Sequence, residues 1–199
     1  MPYANFKDLE MYYERLGNRD NIIDFMDQLN IASAHLIGYS LGANIGLYMA
    51  INNPERVETL TAIGTSGFCD PRGAEEFEPE WLIEQGLQDI INQMMERHLE
   101  AHQGNWEEFM RQSAQDWRLY PQLTLEQLRS IQCPALFITG EHDPFVGKEK
   151  IKRLASLVKQ SRYHIVQNGS HRPHMVREYP IEVNDTILQF LEQYKEPSL

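Results

Sequence analysis

Gly38-Tyr39-Ser40-Leu41-Gly42 decides the fold, because this stretch joins a short apolar strand to a helix. The residues before it, His35-Leu36-Ile37, are typical of a buried strand, and Leu41 to Asn52 are typical of a helix. A sharp strand-to-helix turn projects the serine hydroxyl away from the backbone, and glycine on each side lets neighbouring backbone approach closely. The stretch therefore predicts an exposed, nucleophilic Ser40.

Small residues recur every four positions along the helix that follows, at Gly42, Gly46 and Ala50. Residues four apart lie on one face of a helix. We therefore expect this face to pack closely against the sheet.

The length and charge of the chain restrict its function. A chain of 199 residues with 42% hydrophobic residues is long enough for one sizeable core, with room for an inserted subdomain. Its 18 basic and 29 acidic residues give a net charge of −11, which disfavours binding to nucleic acid or to anionic membrane surfaces. We expect no nucleic-acid and no membrane partner.

The two cysteines, Cys69 and Cys133, are far apart and form no C-x-x-C pair, so neither a disulfide framework nor a zinc site is predicted. The N-terminal residues do not resemble a signal peptide, and no apolar stretch has the length of a membrane span. These features favour a cytoplasmic protein.

Strands and helices alternate over most of the chain. Strands are predicted at 9–14, 57–63, 135–139 and 163–167 in addition to the strand before Ser40, and further helices at 20–29, 148–159 and 181–194. Strands separated by helices need crossover connections, which predicts an α/β fold with a mostly parallel sheet and helices on both faces. From about residue 75 to 128 the composition becomes acidic and helical, as in an insertion.

Two further polar stretches each follow a predicted strand, Gly140-Glu141-His142-Asp143-Pro144 and Asn168-Gly169-Ser170-His171. The carboxyl ends of parallel strands are where open α/β sheets place their chemistry. Serine, aspartate and histidine therefore occur in the order nucleophile, acid, base, each at the end of its own strand.

With these stretches the chain resembles the α/β-hydrolase superfamily, specifically its small, cap-bearing, esterase-like members. Further matching stretches are Met11-Tyr12-Tyr13-Glu14, Pro134 to Gly140, and Phe190-Leu191. The resemblance implies a hydrolase core at residues 1–67 and 129–199, with a helical cap insertion at 68–128.

The resemblance also implies the roles of the candidate catalytic residues. Ser40 would be the nucleophile, His171 the general base and acid, and Asp143 the group that holds the tautomer of His171, while the backbone amide of Leu41 would donate to the oxyanion. No metal and no organic cofactor is expected.

One departure from the family concerns the junction of Gly17 and Asn18. There the family has an apolar strand, a histidine-glycine oxyanion loop, a helix and another strand, all missing here, so the core is incomplete. Losing one oxyanion donor typically costs about 10²–10³ in kcat.

The strand before Ser40 would also become an apolar sheet edge. Three outcomes are open: the N-terminal strand repositions, a homodimer covers the exposed edge, or the fold is marginal. Tyr39 before the serine and Ser170 before the histidine are smaller departures.

Each candidate residue has an alternative. Glu141 is a rival carboxylate to Asp143, His164 and His174 are rivals to His171, and His98 with His102 has the spacing of a metal pair. For that pair a solvated helix face is the favoured interpretation. The Met and Trp residues between Leu82 and Trp117 are interpreted mainly as the core of the cap.

The predicted function is hydrolysis of small carboxylic esters through an acyl-enzyme on Ser40. The substrate is expected between the sheet rim and the insertion, whose aromatic and methionine side chains favour an apolar acyl or alcohol group. Related scaffolds act on thioesters, lactones or the carbon–carbon bonds of diketones. The alternative is a catalytically impaired, truncated hydrolase that acts as a scaffold or binding protein.

Overall fold

The computed structural model describes residues 3–6, 9–12, 19–68, 71–99, 104–119 and 121–194. Within these ranges the chain divides into two compact units, one formed by residues up to 16 and 69–122, the other by residues 17–68 and 123–199. The predicted boundaries of the insertion were 68 and 128. The described N-terminal strands group with the insertion, although the sequence placed them with the core.

The larger unit contains four strands and five helices among the described residues. Numbered in order along the whole chain, they are α1 (Arg19–Gln28), β3 (Ala34–Tyr39), α2 (Leu41–Asn52), β4 (Val57–Ile63), α6 (Leu125–Arg129), β5 (Ala135–Gly140), α7 (Lys148–Leu157), β6 (Ser161–Val166) and α8 (Pro180–Leu191). The numbers left out here belong to elements of the smaller unit, which is described below. The predicted helix at 41–52 and strand at 57–63 have the expected bounds.

The sheet of this unit has the strand order β3-β4-β5-β6, and every pairing is parallel. This confirms the predicted parallel α/β sheet. Because parallel neighbours need crossover connections, a helix follows each of the first three strands before the next one begins. Among the described residues β3 lies at one edge of the sheet and β6 at the other.

Helices cover both faces of the sheet, as predicted. On one face α1, α2, α6 and α7 bury an apolar cluster that includes Met26, Leu47, Leu60, Phe137 and Leu154. On the other face α8 packs on the strands through Val183, Ile187 and Phe190. Since both faces are covered, the central strand β5 is buried at all six of its residues.

Helix α2 packs on the sheet through only part of its small-residue face. A Cβ on Gly46 would come within 2.6 Å of Leu60 Cδ1, and Ala50 is buried. Gly42 was wrongly assigned to this face, because it is exposed and a Cβ there would meet nothing within 4 Å. The close packing begins one turn further along the helix.

The smaller unit consists of the antiparallel pair β1 (Tyr3–Phe6) and β2 (Leu9–Tyr12) and the helices α3 (Pro79–Glu84), α4 (Gln88–Arg97) and α5 (Trp106–Leu119). Its helices bury a cluster of Leu82, Ile91, Trp106 and Met110. This agrees with the interpretation of these residues as a core. None of the helices in the described ranges is both long and apolar enough to cross a bilayer.

Candidate active site

Ser40 occupies a strained turn between β3 and α2. Its φ of 51° and ψ of −114° lie outside the regions that non-glycine residues favour, a strain that costs about 1–3 kcal/mol. The turn is held because the Ser40 amide donates to the carbonyl of Ile63 (2.8 Å) and the Ser40 carbonyl accepts from the amide of Asn44 (3.1 Å). Backbone strain maintained by such contacts is typical of a functional residue.

Gly38 is required by this turn. A Cβ at Gly38 would lie 2.4 Å from the carbonyl oxygen of Gly42 and 2.7 Å from the amide nitrogen of Ala43. Those atoms are backbone, so they have no side-chain rotamer with which to move away. The predicted role of glycine before the serine is therefore confirmed, whereas Gly42 contributes its backbone and not free space.

The structure brings together the three predicted side chains. His171 Nε2 lies 3.2 Å from Ser40 Oγ, and His171 Nδ1 lies 2.9 Å from Asp143 Oδ2. The residues come from loops after β3, β5 and β6, so the carboxyl ends of three strands converge at one rim of the sheet. The arrangement can relay a proton from the serine hydroxyl to the imidazole, while the carboxylate fixes which ring nitrogen carries hydrogen.

Asp143 is buried and fully hydrogen-bonded. Its Oδ1 accepts from the amides of Phe145 (2.8 Å) and Val146 (2.9 Å), and its Oδ2 accepts from Thr139 Oγ1 (3.0 Å) as well as facing His171. Burial raises the pKa of Asp143, but the hydrogen bonds from His171 and from these amides lower the pKa by more. The net pKa is below the ordinary value, so the carboxylate is ionised at neutral pH.

Aromatic rings flank the His171 imidazole. The ring of Tyr39 lies 5.2 Å away between centroids, and the edge-on ring of Phe145 lies 4.9 Å away. Gly64, with a φ of 68°, lies against the imidazole so closely that a Cβ there would be 2.9 Å from Cε1. The imidazole is therefore confined around its ring, which keeps Nε2 directed at the serine.

Burial raises the pKa of the Tyr39 phenol, which therefore stays neutral at physiological pH. Tyr39 also lies 4.6 Å from the ring of His174, whose pKa is lowered by burial. A neutral phenol and a neutral second imidazole add no charge beside His171, whose imidazole faces the Asp143 carboxylate at 2.9 Å. Sequence reasoning treated Tyr39 only as a tolerated departure and missed its ring contact.

The amide of Leu41, the predicted oxyanion donor, lies at the N-terminus of α2. Leu41 is the first residue of α2, and the first amides of a helix have no partner within it. The positive end of the helix dipole lies at the same position and favours negative charge. The Gly17–Asn18 junction, where the second donor would be supplied, lies outside the described residues.

The rival side chains have other partners. Glu141 pairs with Lys148 (3.0 Å) and accepts from the amide of Asn168 (3.1 Å). His164 pairs with Glu182 (2.7 Å). The ring of His174 lies against Tyr39, with 4.6 Å between the ring centroids. Geometry therefore favours Asp143 and His171 over their rivals.

His98 and His102, which have the spacing of a metal pair, lie only partly within the described residues. The ring of His98 is half-buried and stacks on Phe109, with 3.9 Å between the ring centroids. His102 lies outside the described residues, so the expectation of a solvated helix face stays a prediction for the pair. In the described ranges no group of three or more His, Cys, Asp or Glu side chains is arranged to hold a metal ion.

Comparison of the sequence with known protein families assigns the chain to one of them. The sequence profile described as "alpha/beta hydrolase fold" matches residues 19–122, slightly more than half of the chain. The chain belongs to the alpha/beta hydrolase fold family. The resemblance inferred from the sequence is thus confirmed, and the strand-turn-helix at Ser40 lies within the matched region of this alpha/beta hydrolase.

Related sequences are similar to this alpha/beta hydrolase at low identity. "Serine hydrolase BPHL" of Mus musculus is 25% identical over 192 residues, which cover 91% of this chain and 62% of the mouse protein. "Carboxylesterase YbfK" of Bacillus subtilis (strain 168) is 28% identical over 185 residues, covering 84% of this chain and 60% of that protein. The chain thus spans less than two thirds of the length of these relatives.

Among solved structures, a thermophilic esterase from Thermogutta terrifontis superposes with a TM-score of 0.71 at 20% identity, over 89% of this chain and 72% of that one. At this identity the likeness concerns the fold alone. It agrees with the parallel sheet and its flanking helices.

Proposed function

We propose that this chain is a serine hydrolase that cleaves small carboxylic esters through an acyl-enzyme on Ser40. The observation that carries the proposal is the continuous relay from Ser40 through His171 to Asp143, with separations of 3.2 and 2.9 Å. A hydroxyl without such a base is a weak nucleophile at neutral pH.

In the first half-reaction Ser40 Oγ attacks the ester carbonyl carbon, and its proton passes to His171 Nε2. The carbonyl oxygen becomes an oxyanion that accepts a hydrogen bond from the Leu41 amide. Collapse of this intermediate breaks the ester C–O bond, and His171 returns its proton to the departing alkoxide, which leaves as an alcohol. The acyl group is then bonded to Ser40.

In the second half-reaction His171 takes a proton from water, and the resulting hydroxide attacks the acyl carbon. The bond to Ser40 Oγ breaks, the serine recovers its proton from His171, and a carboxylic acid leaves. Asp143 stays ionised throughout, since its pKa lies below the ordinary value, and it stabilises the imidazolium formed in each step.

The surroundings of the hydroxyl favour an apolar substrate. Leu41 follows the nucleophile directly and Phe145 packs on the imidazole, and both side chains remain exposed. Apolar side chains beside a reactive group favour an apolar acyl or alcohol portion. We therefore propose small esters as substrates, with thioesters, lactones and diketones as the related classes to compare.

The test is covalent labelling of purified protein with a fluorophosphonate, followed by mass-spectrometric location of the label. We expect one modified site, Ser40, no label in Ser40→Ala, and hydrolysis of p-nitrophenyl butyrate by the wild type alone. A folded circular dichroism spectrum without any labelling would contradict the proposal and favour the scaffold or binding protein.

We also propose a cytoplasmic location. Cys133 is buried among apolar residues, and burial raises the pKa of its thiol to about 11. A neutral, buried thiol does not readily form disulfides, and a reducing compartment suits it. Fractionation of cells that express the tagged chain would test this location.

A further inference from the structure

The loop between β6 and α8 carries His171. The carboxylate of Glu178, near the end of this loop, is hydrogen-bonded to Ser170 near its start. Glu178 Oε2 accepts a hydrogen bond from the Ser170 amide at 3.0 Å. Glu178 Oε1 accepts a second, short hydrogen bond from Ser170 Oγ. Both carboxylate oxygens thus hold the residue directly before the imidazole.

The residue after the imidazole is tied to the same group. Ser170 Oγ, while donating to Glu178, accepts a hydrogen bond from the Arg172 amide at 3.1 Å. The backbone on both sides of His171 is therefore connected to one side chain. Hydrogen bonds to an ionised carboxylate are stronger than those between neutral groups.

Turns within the loop bring Glu178 back toward Ser170. The Glu178 amide donates to the Met175 carbonyl at 2.8 Å, and the Tyr179 amide donates to the Pro173 carbonyl at 3.0 Å. The start of the loop is also tied to the loop after β5, where the His142 amide donates to the Gly169 carbonyl at 2.8 Å. Glu178 adds its two hydrogen bonds from Ser170 to this backbone contact.

We propose that Glu178 is a positioning residue that holds the His171 imidazole in line with Ser40 through its two hydrogen bonds to Ser170. This inference rests on the proposed hydrolase function. Glu178 touches neither Ser40 nor the imidazole nitrogens in any described hydrogen bond, so it acts through the loop and not on the substrate. A misplacement of a catalytic group by about 1 Å can cost about 10² in rate.

The principal test compares Glu178→Ala with Glu178→Gln. We expect Glu178→Ala to lower kcat for p-nitrophenyl butyrate by about 10- to 100-fold with little change in KM, because the geometry of the reacting groups changes and substrate contacts do not. The glutamine side chain keeps an oxygen that accepts a hydrogen bond from the Ser170 amide. Its NH₂ group can donate a hydrogen bond to Ser170 Oγ. Glu178→Gln should therefore recover most of kcat.

The matched control is Glu182→Ala, which removes a carboxylate from the following helix, where it pairs with His164 at 2.7 Å. It should leave kcat within about 2-fold of the wild type. If Glu178→Ala behaves like this control, the inference is overturned while the proposed function stands.

A double-mutant cycle shows whether Glu178 acts through Ser170. If it does, Ser170→Ala and Glu178→Ala should be strongly non-additive in kcat, because both remove the hydrogen bond between Ser170 Oγ and Glu178. The backbone amide of residue 170 can still donate to Glu178 in Ser170→Ala, so the loss of kcat should be the smaller one in this variant. Additive losses, or no rescue by Glu178→Gln, would overturn the inference. Should Glu178→Ala fail to fold, Ser170→Ala alone decides: wild-type kcat in this variant overturns the inference, and a reduced kcat with unchanged KM supports it.

One readout is independent of turnover. The proton between His171 Nδ1 and Asp143 gives a low-field NMR signal when the imidazole is held in place, and Glu178→Ala should shift or broaden it while Glu182→Ala should not. If the wild type neither turns over esters nor labels at Ser40, the proposed function fails, and this signal still tests Glu178. An unchanged signal in Glu178→Ala overturns the positioning role.

Discussion

At the scale of single residues, Asp143 is the side chain with the most tightly defined surroundings. Its Oδ1 accepts from two loop amides and its Oδ2 faces His171 Nδ1. In Asp143→Asn the amide oxygen can keep the loop contacts while its NH₂ faces Nδ1, which imposes the wrong imidazole tautomer. We expect kcat to fall by about 10⁴ in an ester hydrolysis assay with the fold retained.

The control for this substitution is Glu141→Gln. Glu141 lies two residues away but pairs with Lys148, so its loss should change kcat by less than about 3-fold. Equal losses in the two variants would show that the carboxylate opposite His171 has no special role.

The lowered pKa of Asp143 also predicts how the free energy of unfolding depends on pH. Its pKa is lowered in the folded chain, so its stabilising contribution is fully present above its unfolded pKa of about 3.9 and is lost as pH falls through the folded value. Asp143→Asn should therefore have a lower free energy of unfolding than the wild type at neutral pH. The difference should shrink below about pH 4, as measured by urea unfolding. A difference that stays constant down to about pH 3 would contradict this linkage.

The three candidate catalytic residues were predictable because each follows a strand and each has a side chain that can act as nucleophile, acid or base. Ser40, Asp143 and His171 carry a hydroxyl, a carboxylate and an imidazole, and the parallel sheet brings strand ends together. Glu178 was not found, because its role depends on a loop conformation that no local pattern encodes. Gly42 was misassigned for a related reason, since spacing along a helix does not show where that helix begins to touch the sheet.

At the scale of elements, the close contact between the end of β5 and the loop after β6 sets the distance from Asp143 to His171. A Cβ on Gly140 would lie 2.0 Å from the Ser170 carbonyl oxygen and 2.3 Å from Gly169 backbone atoms. Gly140→Ala must therefore separate the two loops. We expect a destabilisation of about 1–3 kcal/mol in thermal or urea unfolding, together with a loss of hydrolysis greater than the loss of stability explains.

Gly147→Ser is the matched variant for this prediction. Gly147 caps the N-terminus of α7 with a φ of −63°, and a Cβ there would meet nothing within 4 Å. Serine is a preferred residue at such a position, so stability should be unchanged or slightly higher. If Gly140→Ala is as well tolerated as Gly147→Ser, the two loops are not in the contact described.

Element boundaries were predictable where burial follows a clear pattern. The predicted bounds of β4, Val57–Ile63, are those observed, and all of its residues except Glu58 are buried. Strand β6 runs from Ser161 to Val166, two residues before the predicted start at Tyr163. Its first residues are polar and pair through their backbone with Ala135 and Leu136, so hydropathy carries no signal for them.

At the scale of the whole molecule, the strand that leads to the nucleophile is the edge of the described sheet. Ile37 on β3 is 54% exposed, and three apolar residues of the neighbouring segment around α1 are also exposed, namely Ile22, Phe25 and Leu29. An exposed edge with apolar side chains favours pairing with another strand. Sequence patterns predicted the strand β3, but they did not predict which part of a protein packs against its free edge. That packing depends on elements that are distant in the chain or lie in another molecule.

We propose that a second copy of this chain covers the edge by pairing its own β3 antiparallel to the first. Such pairing is self-complementary under a two-fold axis, and it would join two four-stranded sheets into one of eight strands. The wild type should sediment as a dimer at micromolar concentration. Because each chain has a net charge of −11, moderate salt should strengthen the dimer by screening their repulsion.

Ile37→Lys should convert this dimer into a monomer, since a charge at the edge strand must be desolvated when the strands pair. Ile181→Lys is the matched control, because Ile181 is 77% exposed but lies on α8, away from the β3 edge. It should leave the sedimentation coefficient unchanged. A wild type that sediments as a monomer at micromolar concentration in moderate salt would reject pairing through β3, and dimers in both variants would place the interface elsewhere on the chain.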